Sequence, residues 1–383
     1  MALLMKKYDG NNKGVVVLTH KEANLLPMFD NYRKYYFFGC HIGCYHKEKQ
    51  VGGFDFYMSS EQQLPSNFPE KDKIIELNSR NFLPNQYHNI NGKTKESLIH
   101  SITEVQKVSK TKLTDETMNY IMETDRDYVW DILWINKPHQ VKNIKWFLEQ
   151  LKELFDREGP CRVLLVCAIS PNERGPFKSH FLNPEKYISE NFTKEEQKYI
   201  SLLRPETDGN EGADNSLIPP FYQWSNTFSF YTEKEGESRV VHEALCCGCR
   251  IIYYEFVEGG SNDYLDDTNS ISFTDFGESW KSLSSGIKMK KVEDCDDIHK
   301  KCLEKNGLIT LKEELGNLYE NNNELFDGKL EEMSNLHFEL PAHNHTVSWK
   351  GSGMETGDLR EDKVEVFITD SGMIDWWRNN GYE

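Results

Sequence analysis

Residues 231–265 read YTEKEGESRVVHEALCCGCRIIYYEFVEGGSNDYL. The segment just upstream, NTFSFYT, has the aromatic and β-branched composition of a strand over 226–231. A loop at 232–236 follows. A helix is expected from about residue 237 to 247, with Val240, Val241, Ala244 and Leu245 on its buried face. Gly248 stands where a helix stop belongs, and CRIIYYEF begins the next strand. Strand, helix and strand in this order make a β-α-β unit with parallel strands and a right-handed crossover. The start of the helix then lies at the carboxyl edge of a parallel sheet, where open sheets of this kind bind ligands.

Working outward, a second such unit lies upstream. VWDILWIN (129–136) reads as a buried strand. The next segment carries Ile144, Phe147, Leu148, Leu151, Leu154 and Phe155 at helical spacing, and Gly159 ends it. CRVLLVCAI (161–169) is another continuous apolar strand. Further upstream, GVVVLTH (14–20) is expected to be the first strand, with YYFFGCHI and KIIELNS as later ones. Residues 94–110 have helical character, and the polar stretch 110–127 marks a domain boundary. Residues 195–203 read as helical, and 204–216 as turn-rich. Acidic helices follow at 297–304 and 311–324, then a strand VEVFIT and a closing MIDWWRNN segment. The expected architecture is α/β with two Rossmann-like domains. The first covers 1–125, the second 126–345, and the segment 346–383 crosses back to the first.

Composition excludes several classes. At 383 residues, with 38% hydrophobic and 28% charged residues, the chain is long enough for two cores and too apolar for disorder. A formal charge of −17 repels phosphate backbones, which argues against a nucleic-acid partner. No apolar run is long enough to span a bilayer, and the opening MALLMKKYDG is too short for a signal peptide. The expected location is the cytoplasm, that of a virus-infected host cell included. Nine cysteines without disulfide spacing fit a reducing compartment. Cys40, His41, Cys44 and His46 lie close together, but a zinc site needs a second ligand pair at a defined distance, and none is found. A strand followed by a turn accounts for them. Cys246, Cys247 and Cys249 read as small buried residues.

Glu235, Arg239 and Glu243 are four apart and share one side of their element. Eight helical positions correspond to roughly 12 Å of rise. Two carboxylates paired for glycoside hydrolysis sit closer, about 5 to 10 Å apart. Two carboxylates further apart suit a ligand with hydroxyls at both ends, each accepting from a diol, with the helix N-terminus favouring an anion between them. Glutamates on a helix are more often simply solvated. Lys137 after a strand and Lys142 before a helix lie at the same sheet edge and could neutralise a diphosphate. Gly259 and Gly260 would let backbone approach a ligand closely.

These features in this order resemble the donor domain of GT-B glycosyltransferases, in particular retaining enzymes of family 4. The family pattern is a glutamate, seven residues, then Glu-Ala-Met or Glu-Ala-Leu, a small-residue turn and a Gly-Gly loop. Here it is matched by Glu235, Glu243-Ala244-Leu245, CCGCRII and Gly259-Gly260. Lysine stands where the family has the arginine of its diphosphate motif. The resemblance implies a hexosyltransferase that moves a sugar from a UDP- or GDP-sugar to a glycan, glycoprotein or other hydroxyl acceptor, with retention, no metal and no cofactor. It implies that Glu243 holds the donor ribose and that Glu235 stands beside the transferred sugar. Gly236, Glu237, Ser238 and Arg239 would line the donor, and Lys137 and Lys142 would stabilise the departing diphosphate. Ser238 stands where the family often has a second glycine, and the segment after the first strand lacks the family's glycine-rich loop. His20 and Lys21, at the end of that strand, are acceptor-side candidates by topology. A nucleotide-sugar epimerase of the same fold, or a non-catalytic carbohydrate-binding protein, are the alternatives.

Overall fold

The computed structural model describes residues 2–6, 8–19, 35–40, 54–58, 70–75, 77, 87–90, 92–169, 178–206, 215–233, 235, 238–257, 264–292, 298 and 304–330. The chain forms two units, one of residues 1–82 with 303–383 and one of residues 83–302.

The first unit holds a five-stranded sheet of β1 (Ala2–Lys6), β2 (Gly14–Thr19), β3 (Tyr35–Cys40), β4 (Phe56–Met58) and β5 (Ile74–Ile75), side by side in that order. β1 runs antiparallel to β2, and the other pairs are parallel. The first strand is therefore not GVVVLTH. The short apolar start of the chain pairs along it, with Leu3 opposite Val17 and Leu4 opposite Val16. The helix Glu304–Asn321 lays Leu311, Leu315, Leu318 and Tyr319 against Val15, Val17, Tyr36 and Phe38. Polar bonds finish the attachment. Glu324 accepts from the Lys13 amide (3.1 Å) and the Tyr36 hydroxyl (2.9 Å), and buried Lys6 pairs with Asp327 at 2.7 Å. The return to the first sheet thus comes at 304–330, earlier than the expected 346–383. That later segment, with its strand VEVFIT and Trp376 and Trp377, lies outside the described residues.

The second unit is a six-stranded, all-parallel sheet. Its strands are β6 (Trp130–Asn136), β7 (Val163–Cys167), β8 (Ile200–Leu203), β9 (Ser225–Phe230), β10 (Arg250–Tyr254) and β11 (Ser270–Phe273). Their order across the sheet is β11-β10-β9-β6-β7-β8. Counted within the unit this is 3-2-1-4-5-6, the doubly wound order, and it reverses direction between β6 and β9. Alternate strand residues feed two cores. Leu133, Leu164, Val166 and Phe228 face helices Lys95–Lys107, Asp115–Glu123, Pro219–Gln223 and Arg239–Cys246. Ile132, Trp134, Val163 and Leu165 face helices Ile144–Glu158, Pro184–Asn191 and Trp280–Lys288. Burial on both faces explains why β7, VLLVC, and the ILWI of β6 read as unbroken apolar runs.

Two expectations shift here. Residues 83–125, read as part of the first domain, belong to the second unit. Leu98, Ile102, Val105 and Ile121 are buried in the same core as Phe228, and 115–123 is a helix within the second unit rather than a domain boundary. Residues 195–203 are not one helix: a single turn at Lys194–Gln197 precedes β8. Strands β4 and β11 and the helices Pro184–Asn191 and Trp280–Lys288 had no counterpart in the sequence reading.

Candidate active site at the switch point

The carboxyl ends of β6 and β9 lie side by side where the strand order reverses. β6 ends at Asn136, whose side chain accepts from the Lys137 amide at 3.0 Å. The chain then makes a 3-10 turn, Gln140–Lys142, headed by His139, whose Nδ1 accepts from the Val141 amide at 3.2 Å. Asn143 has left-handed backbone (φ 53°, ψ 33°) and leads into the helix Ile144–Glu158. On the other side β9 ends at Phe230, and the loop after it carries Glu235.

These two loops meet through charge. Lys142 Nζ forms an ion pair with Glu235 Oε2, and their side chains are only 18% and 15% exposed. Burial pulls the Lys142 ammonium down to about 8. The carboxylate against it works the other way, because it favours the charged form. Burial also lowers Lys137, which lies at the end of β6. His139 is lowered first by burial, then by His180 and Lys142; the two histidine rings are 5.9 Å apart. Lys137 and Lys142 both follow β6 at the carboxyl edge of the sheet.

Glu243 has a different setting. The helix spans Arg239–Cys246, shorter than expected, so Glu235 is outside it. The helix is buried almost all round, and Glu243 is 5% exposed, which removes the solvated-face alternative. Val240, expected in the buried face, is the partly exposed residue, whereas Arg239, His242 and Glu243 are buried. Glu243 Oε2 accepts from the Tyr222 hydroxyl (3.0 Å), Oε1 pairs with Arg239 Nε (2.8 Å), and the Tyr87 hydroxyl also donates to it. Burial raises its carboxyl, while Arg239 and the tyrosines oppose that shift. The two glutamates therefore do not present one shared face: Glu235 meets a lysine at the crevice, and Glu243 is held by groups of the core.

Ser238 is buried at the head of this helix. His242 is fully buried, its Nδ1 3.0 Å from the Ser238 carbonyl and its ring packed on Tyr264. Cys246, Cys247 and Cys249 are buried. Gly236, Glu237, Gly259, Gly260, His20, Lys21, His41, Cys44 and His46 lie outside the described residues. Among the described residues no three His, Cys, Asp or Glu side chains converge as metal ligands, and no helix is long and apolar enough to cross a membrane. Asn143 and His139 at the crevice were missed from sequence. The only available signal was an asparagine directly before a helical pattern.

No protein-family model and no curated protein sequence matches this chain. Solved structures do. The Anabaena protein Alr3699/HepE, crystallised in complex with UDP, matches over 79% of this chain and 78% of its own, with 10% identity and a TM-score of 0.53. OtsA in its apo form matches over 79% of this chain and 72% of its own, with 12% identity and a TM-score of 0.51. The chain has the GT-B fold. In this GT-B chain the sheet of the second unit carries the crevice, and the expected fold class holds: α/β with two sheets in which parallel pairing dominates.

Proposed function

We propose that this GT-B protein is a glycosyltransferase. It transfers a sugar from a UDP- or GDP-sugar to a glycan or other hydroxyl acceptor, with retention and without a metal. The observation that carries this reading is the part-buried Lys142–Glu235 pair, set at the switch point where doubly wound sheets bind nucleotides. Lys137 and Lys142 supply positive charge where a leaving diphosphate would develop negative charge, the work a metal does elsewhere. A diphosphate competes with Glu235 for Lys142. Its arrival would free the Glu235 carboxylate to accept from sugar hydroxyls. The helix Arg239–Cys246 turns its N-terminus to the same edge and favours an anion there. The UDP held by Alr3699/HepE makes UDP the first nucleotide to try.

One observation favours a second reading, a nucleotide- or carbohydrate-binding protein without turnover. Both carboxylate oxygens of Glu243, the expected ribose holder, are bonded within the protein. Thermal shift against a panel of UDP- and GDP-sugars tests binding. A ligand at a hundredfold excess over its Kd should raise the Tm by about 5 °C. Donor hydrolysis by the wild type, lost in Glu235→Ala, identifies the enzyme. Binding without hydrolysis or transfer selects the second reading, and no shift with any nucleotide sugar removes both.

A further inference from the structure

We propose that Asn143 is a positioning residue for this crevice, a side-chain clamp that holds the loop carrying Glu235 against the loop carrying Lys142. Its backbone is left-handed, a conformation that glycine takes freely and asparagine tolerates. An asparagine at the head of a helix usually turns its side chain back onto the helix amides. Asn143 makes no such bond. Its Nδ2 instead donates across the crevice to the Tyr231 carbonyl (3.0 Å) and to Glu233 Oε1 (3.1 Å).

The partner end is rigid. Tyr231 is the first residue beyond β9, and it is buried. Its hydroxyl is 2.7 Å from Ser279 Oγ, and its ring packs against Phe147 and Phe273. Phe147 belongs to the helix that Asn143 begins, and its amide donates to the Asn143 carbonyl at 3.0 Å. The clamp therefore closes a small circuit: Asn143 to Tyr231, Tyr231 to Phe147, and Phe147 back to Asn143. Lys142 precedes Asn143 directly, and Glu235 follows Glu233 by two residues. Fixing Asn143 to Tyr231 and Glu233 thus sets the spacing over which Lys142 and Glu235 pair. Without the carboxamide, the loop after β9 loses two ties to its neighbour.

The ligand half of this inference rests on the proposed donor site; the loop half does not. Asn143→Gly preserves the left-handed turn and removes only the clamp, whereas Asn143→Ala adds backbone strain. Two measurements on the full chain decide the matter: deuterium exchange at the amides of 231–233, and the Kd for UDP and for GDP. In Asn143→Gly, exchange at these amides should quicken about fivefold or more and the nucleoside diphosphate Kd should rise about fivefold, with the Tm near wild type. Asn143→Ala should show the same losses together with a Tm lower by roughly 3 °C. Unchanged exchange in Asn143→Gly overturns the clamp. Faster exchange with unchanged affinity overturns its positioning role and leaves a purely structural tie. If the wild type binds neither nucleotide, the donor site falls, and the exchange measurement still decides whether the loops are clamped.

Discussion

At the residue scale the proposed chemistry turns on Lys142. Its pKa of about 8 lies below the ordinary value of 10.5. Between those pH values the unfolded chain binds more protons than the folded one, so stability rises with pH across that window. Below pH about 8 the burial penalty is present in full. Lys142→Met should flatten the rise, which urea denaturation on either side of the window will show. UDP affinity should move the opposite way: it weakens above pH about 8, by about tenfold per unit, and this dependence disappears in Lys142→Met. Removing one partner of the pair is costly because the other stays behind. Glu235→Ala should destabilise the fold by about 1 to 3 kcal/mol, less than a fully dry pair because both side chains keep some exposure. Lys142→Met with Glu235→Leu should recover most of that loss in a double-mutant cycle. Glu235, Lys137 and Lys142 were legible from sequence because their place after strands fixes which sheet edge they occupy. The setting of Glu243 was not. Its partners Tyr87 and Tyr222 are distant in sequence, and no local spacing points to them.

At the element scale the helix Arg239–Cys246 depends on how it ends. Gly248 has φ +77°, and a Cβ there would sit 2.6 Å from the Val292 carbonyl oxygen. Its amide donates to Leu245 and the Cys249 amide to Ala244, which closes the helix before β10 begins. Gly248→Ala should therefore cost about 2 kcal/mol or more by urea denaturation, through a strained turn and a clash with backbone. This stop was readable because glycine after an apolar helical run has few other uses. So were β6, β7 and β10, whose apolar runs come from burial on both sides, and β9, SNTFSF, whose phenylalanines and β-branched threonine mark a strand. β8 and β11 were not. Both lie at the edges of the sheet and run ISLL and SISF, where polar residues and short length erase the pattern. β4, also unread, is shorter still at three residues, whereas the two-residue β5 falls within the expected strand KIIELNS.

At the scale of the whole molecule the informative fact is where the chain is shared out. A boundary near residue 125 was reasonable from polarity, yet the helices at 95–107 and 115–123 bury their apolar faces in the second unit. Amphipathic periodicity tells which face of a helix is covered, not which sheet covers it. A fragment of residues 83–302 should therefore unfold cooperatively alone, by heat and by urea. A chain ending at 302 should lose the first unit's cooperativity and bind a hydrophobic dye, because Leu311, Leu315, Leu318 and Tyr319 no longer cover the sheet. The order of synthesis then matters. The first strands leave the ribosome early, but the helix that covers them is encoded beyond a separate unit of 220 residues, 83 to 302 inclusive. At about 5 to 20 residues per second, the uncovered sheet waits on the order of 10 to 45 seconds for its lid. The second unit has time to fold first, and the newborn first sheet is the part of this protein that a chaperone would meet.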